Sequence, residues 1–298
     1  MPDRRLALIA NPVAGGGRGR RALEATCAEL DRRGAPYRAL TTRSGTHARE
    51  LAREVAASGE ETVVAVGGDG HVGSIAGVLR ETGTPLAVVP AGRGNDLARV
   101  LGIPTDPAGA AALAIEGEPR PIDVGEVDGE PFLGIASLGF DSEANRIANE
   151  SRLKGNAVYL YAALRALVAW KPARFTLTLD GRERVVIGYS VGAANSRAYG
   201  GGMYAAPKAL LDDRLLDVPW CEDMSKVRFL TQVLPRLFKG TQTELPEVGM
   251  ERAAGVRIEA DRPFAVYADG DRIGEVPVTV RIGERQVRII APAAGRAR

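Results

Sequence analysis

A chain of 298 residues with 39 basic and 37 acidic side chains carries a formal net charge of only +2. That balance, with no basic block, leaves no electrostatic footprint for nucleic acid, and a 45% hydrophobic share is that of a soluble globular protein. Two cysteines, Cys27 and Cys221, exclude a disulfide framework and a cysteine zinc site, and two histidines, His47 and His71, argue against a histidine metal centre.

The length suits two domains, each with its own core. In the first 120 residues strand patterns at 5–10, 36–41, 62–66 and 86–89 alternate with helix patterns at 19–33, 46–58, 72–81 and 107–115, and a short helix is expected near 95–101. Such alternation predicts a parallel sheet with helices on both faces, whose ligands bind beyond the carboxyl ends of the strands. The glycine clusters fall there: Gly15 to Gly19, Gly67 to Gly70, and Gly92 with Gly94. After residue 122 the pattern changes to antiparallel strands at 122–128, 131–138, 174–180, 183–193, 215–220, 255–260, 264–268 and 276–290, interrupted by helices at 141–150, 156–170 and 225–239. Asp180-Gly181 and Asp269-Gly270 read as hairpin turns. The expected division is an α/β domain over 1–122, with 287–298 a candidate to return to it, and a β-sandwich over 123–286. No secretory signal is visible, and the apolar stretch 157–170, interrupted by Arg165, is too short to span a bilayer. The expected location is cytoplasmic.

The run 64–71 reads as a buried strand ending in Gly67-Gly68-Asp69-Gly70, a turn that sets one carboxylate among amides at a helix start. This makes phosphoryl transfer the first hypothesis. The loop 11–19 offers amides for a phosphate nest, or is a tight structural turn. It is not a P-loop, because the first lysine is Lys154, and no acid ends the second strand to bind a ribose, where Thr41, Thr42 and Arg43 stand instead. In the third loop Asn95 or Asp96 is a candidate helix cap, and Arg93 a cation for phosphate in a lysine-free domain. Asp212, Asp213 and Asp217 suit a hard cation, or form a solvated turn.

In this order, and across nearly the whole chain, these segments resemble the bacterial diacylglycerol kinase family of soluble lipid kinases, related to sphingosine kinases and more distantly to NAD kinases. The matching pieces are Asn11-Pro12 with its glycines, Thr42 before His47-Ala48, the Gly-Gly-Asp-Gly turn, 90–99 with Leu101-Gly102-Ile103-Pro104, 199–202 with Pro207, 212–217, and Asp269-Gly270. The resemblance implies an N-terminal nucleotide-binding α/β domain, a C-terminal β-sandwich, an active site in the cleft between them, ATP and Mg2+, and a lipid alcohol as acceptor. Carried over by position, Asn11, Pro12, Val13, Ala14, Gly15, Thr42, Gly67, Gly68, Asp69, Gly70, His71, Val72 and Gly73 would hold the ATP phosphates, with Asp69 at the reaction centre. Arg93, Gly94, Asn95 and Asp96 are counted with them. Asp212, the Leu215 carbonyl and Asp217 match the Mg2+ positions, and the catalytic acid falls at Asp271, with Asp269 two residues before it. The chain departs from the family pattern at His71, Arg93, Arg214 and Asp271, where Thr, Thr, Gly and Glu are usual.

The expected partners are a lipid substrate at a membrane surface and no nucleic acid, with peripheral, transient membrane contact at most and a homodimer left open. The stretch 154–171, with Lys154, Tyr159, Tyr161, Trp170 and Lys171, either touches that surface or packs as an ordinary helix on the sandwich. The rival activities are a kinase for a soluble acceptor such as NAD, and a nucleotide-binding regulator without turnover.

Overall fold

The computed structural model describes residues 4–151 and 157–293. In chain order the elements are β1 (Leu6–Ala10), α1 (Ala14–Arg33), β2 (Tyr37–Thr41), α2 (Gly45–Ala57), β3 (Thr62–Gly67), α3 (Asp69–Thr82), β4 (Leu86–Pro90), α4 (Asp96–Leu101), α5 (Pro107–Glu116) and β5 (Glu118–Ile122). They continue with β6 (Gly125–Val127), β7 (Glu130–Phe132), β8 (Ile135–Gly139), α6 (Phe140–Glu150), α7 (Ala157–Ala169), β9 (Ala173–Leu179), β10 (Arg182–Ala194) and β11 (Leu216–Glu222). A helical run follows, π-helical over Phe229–Val233, and the chain closes with β12 (Val248–Ala253), β13 (Gly255–Ala260), β14 (Ala265–Ala268), β15 (Asp271–Glu275), β16 (Val278–Ile282) and β17 (Val287–Ala291). Two compact units emerge: residues 1–124 with 284–298, and residues 125–283.

The first unit is a six-stranded sheet in the order β2-β1-β3-β4-β17-β5. β1 to β4 are parallel, β17 joins β4 in parallel, and β5 closes the edge antiparallel to β17. Every residue of β1, β3 and β4 is buried, as their unbroken apolar runs require of strands covered on both faces. The stretch 276–290, read from the sequence as one strand, is two. The polar Gly283-Glu284-Arg285-Gln286 turn divides it, and β16 and β17 enter different sheets. β5, β12 and β15 were not expected; all three are short, and their apolar alternation is weak.

The second unit is an eleven-stranded, antiparallel sheet whose long strand β10 pairs with β9 over its first half and with β8 over its second, and with β11 on Gly188 to Ala194. Its core gathers Phe132, Leu138, Phe175, Leu177, Val218 and Trp220. A second cluster joins α6, α7 and the π-helical turn: Phe140, Trp170, Tyr189 and Phe229, with Tyr189 and Phe229 stacked at 4.2 Å. Trp170, for which the sequence left open a membrane contact or a place in a packed helix, is 7% exposed and belongs to this core. Its ring lies edge-on to Phe140 and stacked near Tyr189, so aromatic packing has claimed it. Lys154 lies outside the described residues.

Candidate active site

β1 lies between β2 and β3, so the chain leaves β1 to one side and returns on the other. That reversal is the point at which open α/β sheets bind ligands. Three loops meet here, after β1, β3 and β4, and they are joined main chain to main chain. The Asn11 amide donates to the Val66 carbonyl at 2.9 Å, and the Ala91 amide donates to the Gly67 carbonyl at 2.7 Å. A Cβ on Gly92 would sit 2.5 Å from the Gly68 Cα, so only glycine permits the approach.

In the first loop Asn11 Oδ1 accepts from the Val13 amide at 3.2 Å, turning the chain through Pro12 toward Ala14. Gly15, Gly16 and Gly17 then take left-handed φ values of 58°, 74° and 95°. The Gly16 and Gly17 amides donate to the Val13 carbonyl at 3.2 and 3.3 Å and close the turn, and side chains built on Gly16 or Gly17 would meet only open space. Arg18 ties this loop to the third, with Nη2 2.6 Å from the Gly92 carbonyl and Nε 3.2 Å from that of Gly15. Sequence reasoning missed Arg18; the signal available was an arginine between glycines in a domain without lysine. Thr42 is buried at the end of β2, its hydroxyl donating to the Ala10 carbonyl at 3.2 Å.

Asp69 is the first helical residue of α3, and its Oδ1 accepts from the Leu97 amide at 3.2 Å. Burial pushes its carboxyl above the usual carboxylate range, while the amides of Leu97, Asp96 and Asn95 pull it back. Asp69 therefore serves the open first turn of α4. The expected caps do something else: Asn95, at φ 53°, accepts from the Gly92 amide at 2.7 Å and closes its own loop, without capping the helix. Asp96 is buried, with Arg99 Nε 3.9 Å away. Gly70 continues the first turn; Val72 and Gly73 are buried behind it. His71 places Nε2 2.9 Å from the Ile9 carbonyl, and burial lowers its pKa, so a neutral ring donates to β1. Arg93, next to Gly94, is exposed and among the described residues makes no hydrogen bond or ion pair.

In the second unit Asp269 and Gly270, at φ 52° and 90°, form the turn between β14 and β15. Both oxygens of Asp269 are engaged, by the Leu133 and Gly134 amides, each at 2.8 Å. Asp271 accepts no hydrogen bond among the described residues, and the protein beside it raises its carboxyl above the usual range. Asp217, directly across from Arg252 on β12, is buried, with an Oδ2 that has no hydrogen bond and Arg252 Nε at 3.9 Å. Burial raises its pKa as well. Arg252 also binds Asp213, while Asp212 is exposed and Leu215 half-buried. Among the described residues no group of three or more acidic, histidine or cysteine side chains is placed to hold a metal ion. Asp212, the Leu215 carbonyl and Asp217 supply oxygen donors, the ligand type that Mg2+ takes.

The same unit holds a cavity of about 190 Å³ lined by Phe140, Leu160, Phe229, Leu234, Leu237 and Phe238. Asp141 is at its polar end, hydrogen-bonded by the Tyr199 side chain and pushed up to about 7 by burial.

Residues 5–127 match the model of the diacylglycerol kinase catalytic domain, and residues 134–291 that of the YegS C-terminal NAD kinase beta sandwich-like domain. A protein named diacylglycerol kinase from Mycobacterium tuberculosis is 34% identical over 299 residues, covering 98% of this chain and 96% of that one. A Pseudomonas aeruginosa protein named "Probable lipid kinase YegS-like" is 36% identical over 253 residues, 83% of this chain and 82% of its own. A diacylglycerol kinase crystal structure from Bacillus anthracis shares the fold at TM-score 0.78 and 24% identity, over 98% of both chains.

Proposed function

The chain belongs to the diacylglycerol kinase family, and on that premise we propose that it transfers the γ-phosphate of ATP to the hydroxyl of a lipid alcohol, with diacylglycerol the first acceptor to test. The observation that carries the nucleotide half is the backbone contact between Gly68 and Gly92, which sets three loops of amides around one point at the sheet's switch position. The glycine turns at residues 15–17 and 67–68 shape the phosphate site, and Arg93 supplies the cation that the lysine-free loops lack. Asp69 and Asn95 hold the loops in that shape.

Asp271 is the general base. It takes the proton of the lipid hydroxyl as that oxygen bonds to the γ-phosphorus and the bond from phosphorus to ADP breaks. A carboxylate with no hydrogen bond suits this role, whereas Asp269 is committed to two amides. Asp212, the Leu215 carbonyl and Asp217 would hold Mg2+, which when bound neutralises charge on the phosphate oxygens. The apolar cavity that Asp141 helps to line favours a lipid acceptor over a soluble one such as NAD, because its walls are mostly aromatic and aliphatic.

The test is transfer of labelled γ-phosphate from Mg-ATP to diacylglycerol, monoacylglycerol, ceramide and sphingoid bases in mixed micelles, with NAD and a lipid-free control alongside. Asp271→Asn is the blank, since its exposed position leaves the fold intact. Label in lipid that vanishes with the variant is the expected result. Label on NAD alone moves the protein to the soluble-acceptor branch, and ATP binding without transfer to anything makes it a regulator.

A further inference from the structure

Arg18 joins two of the three glycine loops through its side chain. Nη2 donates to the Gly92 carbonyl at 2.6 Å and Nε to the Gly15 carbonyl at 3.2 Å. Glycine at position 15 makes room for it, since a Cβ there would collide with Arg18 Nε and with the Ala91 carbonyl. Both partners are neutral. Arg33 and Arg38, which also bridge distant segments of this unit, end instead on the carboxylates of Glu116 and Glu60. Arg4 does end on carbonyls, those of Ala114 and Gly117, where the end of α5 leaves acceptors open. Arg18 has neither a counter-charge nor a helix end to serve. Among the described residues it makes no ion pair. Only two of its five N–H groups are used, and both of those on Nη1 donate to nothing.

The backbone of the first loop has little left to offer an anion. The amides of Val13, Ala14, Gly16 and Gly17 already donate inside the loop, to Asn11 Oδ1, the Asn11 carbonyl and the Val13 carbonyl. Attraction for phosphate then falls to side-chain charge, and no lysine precedes Lys154. Arg18 and Arg93 meet at Gly92: one bonds its carbonyl, and the other follows it in the chain. Both are exposed, and neither is neutralised by an acid. A guanidinium pinned by two carbonyls keeps its full charge, and it has already lost rotamer freedom that ligand binding would otherwise take. We infer that Arg18 is a phosphate-binding residue, which forms with Arg93 a two-arginine clamp on the polyphosphate of the donor nucleotide. Nε and Nη2 of Arg18 hold the loops together, and its Nη1 hydrogens bond the anion. Such a clamp grips phosphate oxygens and not the base, so it discriminates by the number of phosphates. The clamp rests on the nucleotide reading of these loops, but its measurement needs neither turnover nor a lipid acceptor.

The experiment is calorimetric titration of the full chain with ATP, AMP and inorganic tripolyphosphate, each in the presence of Mg2+. Wild type is compared with Arg18→Gln, Arg18→Lys and Arg93→Thr, and the unfolding temperature of each is recorded. Arg18→Gln is expected to weaken ATP and tripolyphosphate by about tenfold to a hundredfold, the loss of a charged hydrogen-bonding partner, and AMP by less than about threefold. Arg18→Lys should recover part of that loss through its charge, and Arg93→Thr should weaken the same two ligands by about tenfold. Added salt should weaken tripolyphosphate more steeply in wild type than in Arg18→Gln. Equal losses for ATP and AMP, or an Arg18→Lys variant as weak as Arg18→Gln, would make Arg18 a strap that only shapes the loops and overturn the clamp. Wild type that binds ATP while Arg18→Gln binds it as tightly removes the clamp and leaves the nucleotide reading standing. Wild type that binds no ATP removes both.

Discussion

The two units build their candidate site residues in opposite ways. In the α/β unit the polar side chains at the loops are turned inward and tied to the main chain: Asn11 to the Val13 amide, Thr42 to the Ala10 carbonyl, Asp69 to Leu97, His71 to Ile9 and Asn95 to Gly92. Arg93 is left exposed there. In the β unit the carboxylates of Asp271 and Asp217 keep oxygens without hydrogen bonds, and the matching structural duty falls on a neighbour, Asp269. The first unit offers shape and the second offers titratable chemistry. Substitutions in the first should therefore act through stability and nucleotide affinity, and those in the second through rate and pH.

The largest effect is expected at Asp271. Asp271→Asn should lower kcat by about a hundredfold to ten-thousandfold, the range of a lost general base, with the unfolding temperature unchanged because the residue is exposed. A mild loss of rate would place the proton elsewhere and break the comparison in its second half.

Gly92→Ala tests the first half. The new Cβ would lie 2.5 Å from a backbone atom of Gly68, which cannot swing away as a side-chain tip could. A cost of about 1–3 kcal/mol is expected from overpacking, together with a raised KM for ATP as the second and third loops are pushed apart. Chemical denaturation and steady-state kinetics read the two effects. Unchanged stability would mean that the loops are not held at contact distance.

Asp269→Asn should look like a first-unit substitution although it lies two residues from the proposed base. It replaces a carboxylate that accepts two amides with a group offering one acceptor oxygen, at a cost of about 2 kcal/mol. Denaturant midpoints would register the loss. Much of this was legible in the sequence, and the reason is periodicity. β1, β3 and β4 are short apolar runs, and a parallel sheet leaves few alternatives for them. The glycine clusters named the loops. The division of labour inside the loops was not legible, because it depends on partners far away in the chain: Asp69 serves the amide of Leu97, and Asp269 those of Leu133 and Gly134, across 136 and 135 positions. The choice between the two readings of Trp170 was open for a related cause. Sequence shows an aromatic near basic residues, and only the packing of Phe140 and Tyr189 around it shows that the ring faces inward.

A further effect is a pH signature at Asp141. Burial raises its carboxyl from the ordinary value near 4 to about 7, with the Tyr199 hydrogen bond opposing the shift. The folded protein then holds a proton between about pH 4 and 7 that the unfolded chain releases, so this group lowers stability as pH rises through that window and leaves it unaffected below it. Asp141→Asn removes the penalty. The variant should match wild type in unfolding temperature near pH 4 and exceed it modestly at pH 8, since amide and carboxylate both accept from Tyr199. Equal unfolding temperatures at both pH values would show that solvent reaches the carboxylate and that the polar end of the cavity is wet. The exposed carboxylate of Asp271 would then be the better model for Asp141, and the contrast between buried and open acids in this unit would narrow to Asp217 alone.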